Sequence, residues 1–365
     1  MATSSDAATS ADAHAATTMS AGSAGDSETD PYAYTYADRP GEWYAPYTVL
    51  FANTADDLVP EHWVARYERE AAKNWDKFYL RHGSTFFRDR HYLGKEWSEL
   101  DGAGGAPSSA ADAAPAAAAD DADGDGGELE RHIAEADGEL VLFEAGCAVG
   151  NTLFPLLSKL PKLSAFGVDY SEVAVGLCRE DPRYAALHAA GRISVATGDL
   201  TVAMPAELAD RRAHIATLIF VLSAMSRETM GAAVATVASA LHDGGLCLLR
   251  DYAVGDGAQQ RFQKGRTAKK LDADAESYVR QDGTRAYYFT ADEARALFAP
   301  HFECERCEYT HRRTTNRASG VDLGRVYLTA TFRKRAAGTP APPPPAPPPP
   351  PGRRPPPPPP PRQPL

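Results

Sequence analysis

A loop with two glycines and a pair of carboxylates, spread along the middle of the chain, are the residue types best suited to hold a small polar ligand. Phe143-Glu144-Ala145-Gly146-Cys147-Ala148-Val149-Gly150-Asn151 puts Gly146 and Gly150 on the loop that follows an apolar run, and glycines there let backbone approach a ligand closely. Asp169 comes nineteen residues after Gly150, at the end of a second apolar run, where a carboxylate can accept both hydroxyls of a ribose. Asp199, within Gly198-Asp199-Leu200, ends a third run and is placed to accept from an adenine amino group. A turn aspartate capping the next segment would look the same, but glycine loop, ribose acid and adenine acid follow the three runs in that order.

What is missing narrows the ligand. A dinucleotide fingerprint starting at Gly146 needs glycines at 148 and 151, which are Ala148 and Asn151, and no phosphate-loop lysine accompanies the loop. A nucleoside cofactor without a pyrophosphate fits better, and S-adenosylmethionine is the common one. Ile219, in Ile219-Phe220-Val221-Leu222-Ser223-Ala224 at the end of a fourth run, is expected to pack on the adenine. Arg250-Asp251-Tyr252 ends a fifth run at the same edge, a position that marks a site; a structural Arg250 and Asp251 pair is the competing, less favoured account.

These residues need a frame of strands and helices. Short apolar runs at Leu140 to Glu144, Ala165 to Asp169, Ile193 to Thr197, Ile215 to Leu222 and Leu246 to Arg250 alternate with helical spacing, the pattern of a parallel sheet covered by helices. Val234, Val237 and Leu241 set a helix over Met230 to Leu241, ended by Gly244-Gly245. Ala286 to Thr290 and Val326 to Phe332 alternate like strands and would close the sheet as an antiparallel pair. The expected fold is α/β, a class I, Rossmann-like methyltransferase with a seven-stranded, mostly parallel sheet and helices on both faces. Residues 61–100 add a charged, aromatic block, with Trp63 and Tyr67 at a spacing that favours core packing.

Composition divides the 365 residues further. Residues 1–40, rich in Ala, Ser and acids, are expected to be disordered, as is the Ala/Gly/Asp insert at 101–130. Between them, 41–100 forms a region that caps cofactor and substrate, and 131–335 forms the methyltransferase domain. The proline-rich tail, 336–365, suits polyproline II and SH3- or WW-type partners. The net charge of -11 resides largely in the expected disordered parts: residues 1–30 and 101–130 carry 13 acids and no Lys or Arg. Setting these and the three tail arginines aside leaves about -1, so RNA remains a possible partner. Five cysteines, no secretory leader and no membrane-length apolar run point to the cytoplasm, with the nucleus also open. Cys304 and Cys307 form a lone C-x-x-C without the second ligand pair a zinc site needs, so no metal is expected.

The chain resembles the tRNA N3-methylcytidine methyltransferases in several blocks. They are Asn74-Trp75-Asp76-Lys77-Phe78-Tyr79, Phe86-Phe87-Arg88-Asp89-Arg90-His91, Val168-Asp169-Tyr170-Ser171, Gly198-Asp199-Leu200-Thr201, Phe220-Val221-Leu222-Ser223-Ala224, Arg250-Asp251-Tyr252 and Tyr278-Val279-Arg280-Gln281-Asp282-Gly283-Thr284-Arg285. The resemblance runs from about Trp63 to Lys334, outside the insert. It implies methylation of cytidine N3, usually at position 32 of the tRNA anticodon loop. It also implies that Trp75 and Tyr79 lie against the cofactor with Gly146, Asp169, Asp199, Leu200 and Ile219, and that the N-terminal block and the C-terminal strands hold the anticodon arm. Two positions depart from the family pattern: Ala148 stands where glycine is usual, its methyl pressing toward the cofactor's amino-acid end, and His214 stands where an acid is common.

Cytidine N3 attacks with an in-plane lone pair, so placement matters more than a base. The methylated ring is cationic, and a nearby carboxylate would stabilise it; Asp251 is the first choice and Asp282 the second, with Tyr252 beside them at the reacting base. N3 lies on the Watson-Crick edge, so the base must be unpaired or flipped and held by stacking and phosphate contacts. Phe86, Phe87, Arg88, Arg90 and His91, with Arg280 and Arg285, are the candidates. Arg312, Arg313 and Arg317 are phosphate contacts or a solvated face. The alternatives are a same-fold enzyme for a small molecule or protein, and a cofactor-free RNA-binding subunit. An aminoacyl-tRNA synthetase or other accessory protein is a further possible partner.

Overall fold

The computed structural model describes residues 58–100, 139–263, 269–273, 275–316, 321–336 and 338. The expected disordered segments at 1–40 and 101–130, the proline-rich stretch and Arg317 lie outside these residues, apart from 336 and 338.

Helices α1 (Glu61–Arg69), α2 (Ala71–His82) and α3 (Leu93–Glu96) come first. The strands are β1 (Leu140–Ala145), β2 (Leu163–Asp169), β3 (Ile193–Thr197), β4 (Ala213–Ile219), β5 (Leu241–Tyr252), β6 (Ser277–Val279), β7 (Arg285–Tyr287), β8 (Phe302–Asn316) and β9 (Val321–Lys334). Between them lie α4 (Leu153–Lys159), α5 (Glu172–Glu180), α6 (Pro182–Ala189), α7 (Arg227–Ser239), α8 (Gly257–Gln263) and α9 (Ala291–Phe298). Local chemistry sets several helix starts. Ser171 Oγ accepts from Ala174 N at 3.1 Å ahead of α5, and Thr290 and Glu293 form a reciprocal capping box at α9.

Seven strands form one sheet in the order β3-β2-β1-β4-β5-β9-β8. The first five are parallel, and β9 runs antiparallel to both β5 and β8. The chain steps outward from β1 to β3 and then returns to β4 beside β1. The cleft opens at that reversal, beyond the carboxyl ends of the strands. Alternation along β1 sends Phe143 and Ala145 to one face of the sheet and Leu142 to the other. On the first face Phe143 stacks on Phe166 and Phe298 on Phe332, with ring centres 4.9 and 4.1 Å apart. On the second, the N-terminal block contributes Leu93, Trp97 and Leu100, all fully buried, so this block is part of the domain.

The sheet differs from expectation in its sixth strand. Residues 286–290 do not join it: Arg285–Tyr287 pairs with Ser277–Val279 in a separate hairpin, and a single bridge from Phe289 to Ala253 reaches the end of β5. The outer strand is β8, whose Glu303, Glu305, Arg306, Glu308, Arg312 and Arg313 hide the alternation; such charges guard an exposed edge. The helix expected at Met230 to Leu241 is α7, which starts three residues earlier and ends before Leu241, where β5 begins.

Candidate active site

The loop after β1 folds back on the end of β2. Gly146 and Cys147 both donate backbone N–H groups to the Val168 carbonyl, at 2.8 and 3.1 Å. Gly146 holds φ 71°, and a Cβ there would lie 2.4 Å from Val221 Cγ2, so both conformation and space require glycine. Ala148 adopts the left-handed region as well, with φ 48°, which normally favours glycine. Its amide donates to Asp169 Oδ2 at 2.7 Å, while Ser171 N donates to Oδ1 at 2.9 Å. Burial pushes the Asp169 carboxyl above the usual carboxylate range, with these two amides opposing. Gly150 lies behind the loop: its φ is 86° and a Cβ would meet the Phe154 ring at 2.4 Å. The expected contact of Gly150 with cofactor is therefore replaced by a role in the turn.

A cavity of about 370 Å³ opens above this loop. Gly146, Asp169, Asp199, Leu200 and Ile219 line it. Thr201 donates both its amide and its hydroxyl to Asp199 Oδ1, at 2.8 and 2.6 Å, which fixes the carboxylate at the wall. Two acids, apolar surface from Leu200 and Ile219, and the rings of Trp75 and Tyr79 suit a nucleoside with a polar extension. The volume lies within the ~300–1,000 Å³ of small-molecule sites.

Helix α2 closes the cavity, and its own residues explain how it docks. Asp76 Oδ1 accepts from Ser171 Oγ at 2.6 Å and from Val173 N at 3.3 Å, tying α2 to the start of α5. Asn74 Nδ2 donates to the Gly283 carbonyl at 3.2 Å, tying it to the β6-β7 turn. Between these latches Trp75 and Tyr79 reach the cavity, their ring centres 6.0 Å apart.

The other end of the cavity is aromatic and basic. Tyr252, at the end of β5, packs against Phe220 at 4.9 Å and has Arg280 and Arg325 over its ring at 5.6 and 5.4 Å. Arg325 is held by the buried Asp256 at 2.7 Å, and Tyr327 stands opposite Tyr252 in the β5-β9 register. Phe220 has φ 60°, a strained backbone for a side-chain-bearing residue. Arg250 lies over Tyr327 at 4.5 Å and Tyr92 at 5.3 Å. Its ion-pair partner is Glu96 of α3, so the Arg250 and Asp251 pair offered as an alternative does not form.

Several residues expected at the site have other neighbours. Asp251 is fully buried and its carboxylate accepts from Ser223 N at 3.0 Å and Tyr252 N at 2.8 Å; burial pushes it up to about 6. It sits outside the cavity lining, bracing the turn that carries Ser223 against the end of β5 that carries Tyr252. Asp282 turns inward on its own hairpin, accepting from Thr284 N at 3.0 Å and Oγ1 at 2.7 Å. Arg285 is buried and pairs with Glu68 at 2.7 Å. Arg90 lines the cavity but is pinned by Glu144 at 3.3 Å and Thr152 Oγ1 at 2.7 Å. Phe87, Arg88 and Arg280 also line the cavity, whereas Phe86 and His91 are exposed beyond it. Tyr92, Arg325 and Tyr327 were not singled out in the sequence; the available signal was Arg-x-Tyr at the start of the last strand, two positions that share a face. His214 accepts from Val141 N at 3.1 Å through Nδ1, a link between neighbouring strands.

The fold and this cavity define a class I methyltransferase that uses S-adenosylmethionine. Residues 143–247 match the family model described as a methyltransferase domain. The chain is 37% identical over 278 residues to mouse tRNA N(3)-cytidine methyltransferase METTL6, covering 75% of this chain and 84% of that protein. It is 34% identical to the Drosophila melanogaster tRNA N(3)-methylcytidine methyltransferase Mettl2, over 74% and 73% of the two chains, and 29% identical to trm141 of Schizosaccharomyces pombe, over 76% and 97%. The chain belongs to the tRNA N(3)-cytidine methyltransferases.

Proposed function

We propose that this protein transfers a methyl group from S-adenosylmethionine to N3 of a cytidine in tRNA, at position 32 of the anticodon loop. The observation that carries the substrate reading is the continuity of the cavity: one lining runs from the two acids and Trp75 to the ring of Tyr252 with its flanking arginines. The cofactor, when bound, supplies an electrophilic methyl group on a sulfonium. Asp169 would hold the ribose and Asp199 the adenine amino group, with Ile219 and Leu200 against the ring and Trp75 and Tyr79 covering it.

The chain's own residues place the base. A flipped cytosine needs flat surfaces, and Tyr252, Phe220 and Tyr327 supply them; a stacked base gains roughly 1–3 kcal/mol. Arg280 and Arg325 hold the Tyr252 ring and offer N–H donors at the mouth. Since N3 carries a lone pair, no residue has to remove its proton, and alignment in a water-poor cleft is the main contribution. Asp251 positions Tyr252 through its amide and does not touch the base. Arg88 and Phe87, with Phe86 and His91 farther out, extend the surface toward the flanking nucleotides. An aminoacyl-tRNA synthetase or another accessory protein would add affinity for the rest of the tRNA, and the proline-rich tail would engage SH3- or WW-type domains.

The site on the RNA is tested with transcribed tRNA and labelled S-adenosylmethionine. Cytidine at 32 should accept label and uridine at 32 should abolish it. Equal labelling of both transcripts would overturn the assignment to position 32.

A further inference from the structure

Cys304-Glu305-Arg306-Cys307 takes no part in the methyl-transfer cavity. In a regular strand, residues three apart point to opposite faces. Here β8 shifts register between Cys304 and Arg306: Cys304 stands opposite Phe332, Arg306 opposite Thr331 and Cys307 opposite Ala330. Phe332 and Ala330 are two apart on β9 and share a face, so the extra residue turns both thiols to the same side of the sheet. Helix α9 lies over that side. Cys307 Sγ donates to the Ala291 carbonyl at 3.8 Å, and Arg295 Nη2 donates to the Cys307 carbonyl at 3.0 Å. The Arg295 guanidinium interacts with both thiols, and the two thiols interact with each other. Both cysteines are free, Cys304 exposed and Cys307 half-buried. Two thiols leave a zinc ion two ligands short, and among the described residues no group of three or more His, Cys, Asp or Glu could hold a metal.

We propose that Cys304 and Cys307 are a dithiol-disulfide pair oxidised by hydrogen peroxide, a modification site separate from the methyl-transfer cavity. Sulfur of Cys304 attacks one peroxide oxygen; the O–O bond breaks, Cys304 becomes a sulfenic acid, and the other oxygen leaves as water with the thiol proton. Sulfur of Cys307 then attacks sulfur of Cys304; the S–O bond breaks and a second water leaves with the Cys307 proton. Two thiols and one peroxide thus give one disulfide and two waters, the sulfurs oxidised and the peroxide oxygens reduced.

The geometry allows closure. Positions two register steps apart are ~6.6 Å between Cα atoms by ordinary strand rise, at the long end of the ~4.4–6.8 Å that disulfides span. Among the described residues β8 pairs with β9 alone and ends the sheet, so its bulge between Cys304 and Arg306 can tighten without displacing a second neighbouring strand. Exposure makes Cys304 the first thiol that peroxide meets. Burial pushes the Cys307 thiol up to about 12, with Arg295 opposing, so ring closure is the slower step.

The test uses the full chain, treated with hydrogen peroxide, unfolded, alkylated with iodoacetamide and cleaved by chymotrypsin after Phe302 and Tyr309. The peptide Glu-Cys-Glu-Arg-Cys-Glu-Tyr at 303–309 is expected two hydrogens lighter than its dithiol form, with no alkyl group, and to take two alkyl groups after dithiothreitol. Cys307→Ser should stop at the sulfenic acid, trapped on Cys304 by dimedone. Methyl transfer by Cys304→Ser should equal that of the wild type. Two alkyl groups on the peroxide-treated peptide, or Cys304 carried to sulfinic acid while Cys307 alkylates, would overturn the proposal.

Discussion

The amide of Ala148 donates to the Asp169 carboxylate at 2.7 Å while Ala148 itself sits at φ 48°. The acid that the cofactor's ribose would meet is therefore oriented by a residue in the left-handed region. Alanine there costs about 1–2 kcal/mol, and glycine's freer unfolded chain would cost about 0.4–1 kcal/mol in return. Ala148→Gly should accordingly leave stability within about 1 kcal/mol of wild type and bind S-adenosylhomocysteine at least as tightly. Ala148→Val, β-branched and unable to hold that conformation, should displace the amide and weaken binding at least tenfold. Calorimetric titration and urea melts check both; a Val variant that binds like wild type would refute the role given to the Ala148 amide.

Glu144 gives stability a pH dependence. Burial raises its carboxyl from 4.5 to about 7, with the Arg90 guanidinium opposing. The folded protein keeps a proton that the unfolded chain releases between those values. The contribution is full below 4.5, is lost as pH rises toward 7, and amounts to as much as about 3 kcal/mol. Melting curves from pH 5 to pH 8 should show Glu144→Gln gaining on wild type as pH rises. A constant gap would mean that Glu144 is charged throughout.

Three arginines that look alike in sequence should separate in experiment. Arg285 and Arg90 are held by Glu68 and Glu144, and a hydrogen bond to a charged group contributes about 1.5–3 kcal/mol. Replacement of either by alanine should lower the melting temperature. Arg88 is exposed at the cavity mouth, so Arg88→Ala should keep the melting temperature and raise KM for tRNA. Loss of stability in Arg88→Ala, with unchanged KM, would reverse this division.

The Asp76 latch predicts a change in cofactor use. Without its bonds to Ser171 and Val173, α2 should seat Trp75 and Tyr79 less firmly. Asp76→Ala is expected to raise KM for S-adenosylmethionine by about tenfold, or ~1.4 kcal/mol, with kcat changed less. An unchanged KM would show that α2 docks without it.

Much of this was legible in the sequence because apolar runs fix parallel strands and their ends fix a site. Gly146, Asp169, Asp199 and Ile219 each stand toward or just beyond the end of such a run, and they share one cavity. The edge strand β8 was hidden because its charged residues suit solvent and so erase the two-residue period. Asp251 and Asp282 were read as catalytic from residue type and motif. Only the structure shows that their oxygens are turned toward backbone amides. Partners remote in sequence, such as Arg285 with Glu68 and Arg250 with Glu96, leave no local trace. Nor does a one-residue bulge in β8 that brings two cysteines to one face.

Methyl transfer to cytidine N3 is tested most directly by incubating the purified protein with S-adenosylmethionine and unmodified tRNA, digesting the RNA and weighing its nucleosides. Wild-type protein, with an aminoacyl-tRNA synthetase added if required, should produce 3-methylcytidine, and Asp169→Ala should produce none. A methylated nucleoside other than 3-methylcytidine, or no methylation with the synthetase present, would contradict the account.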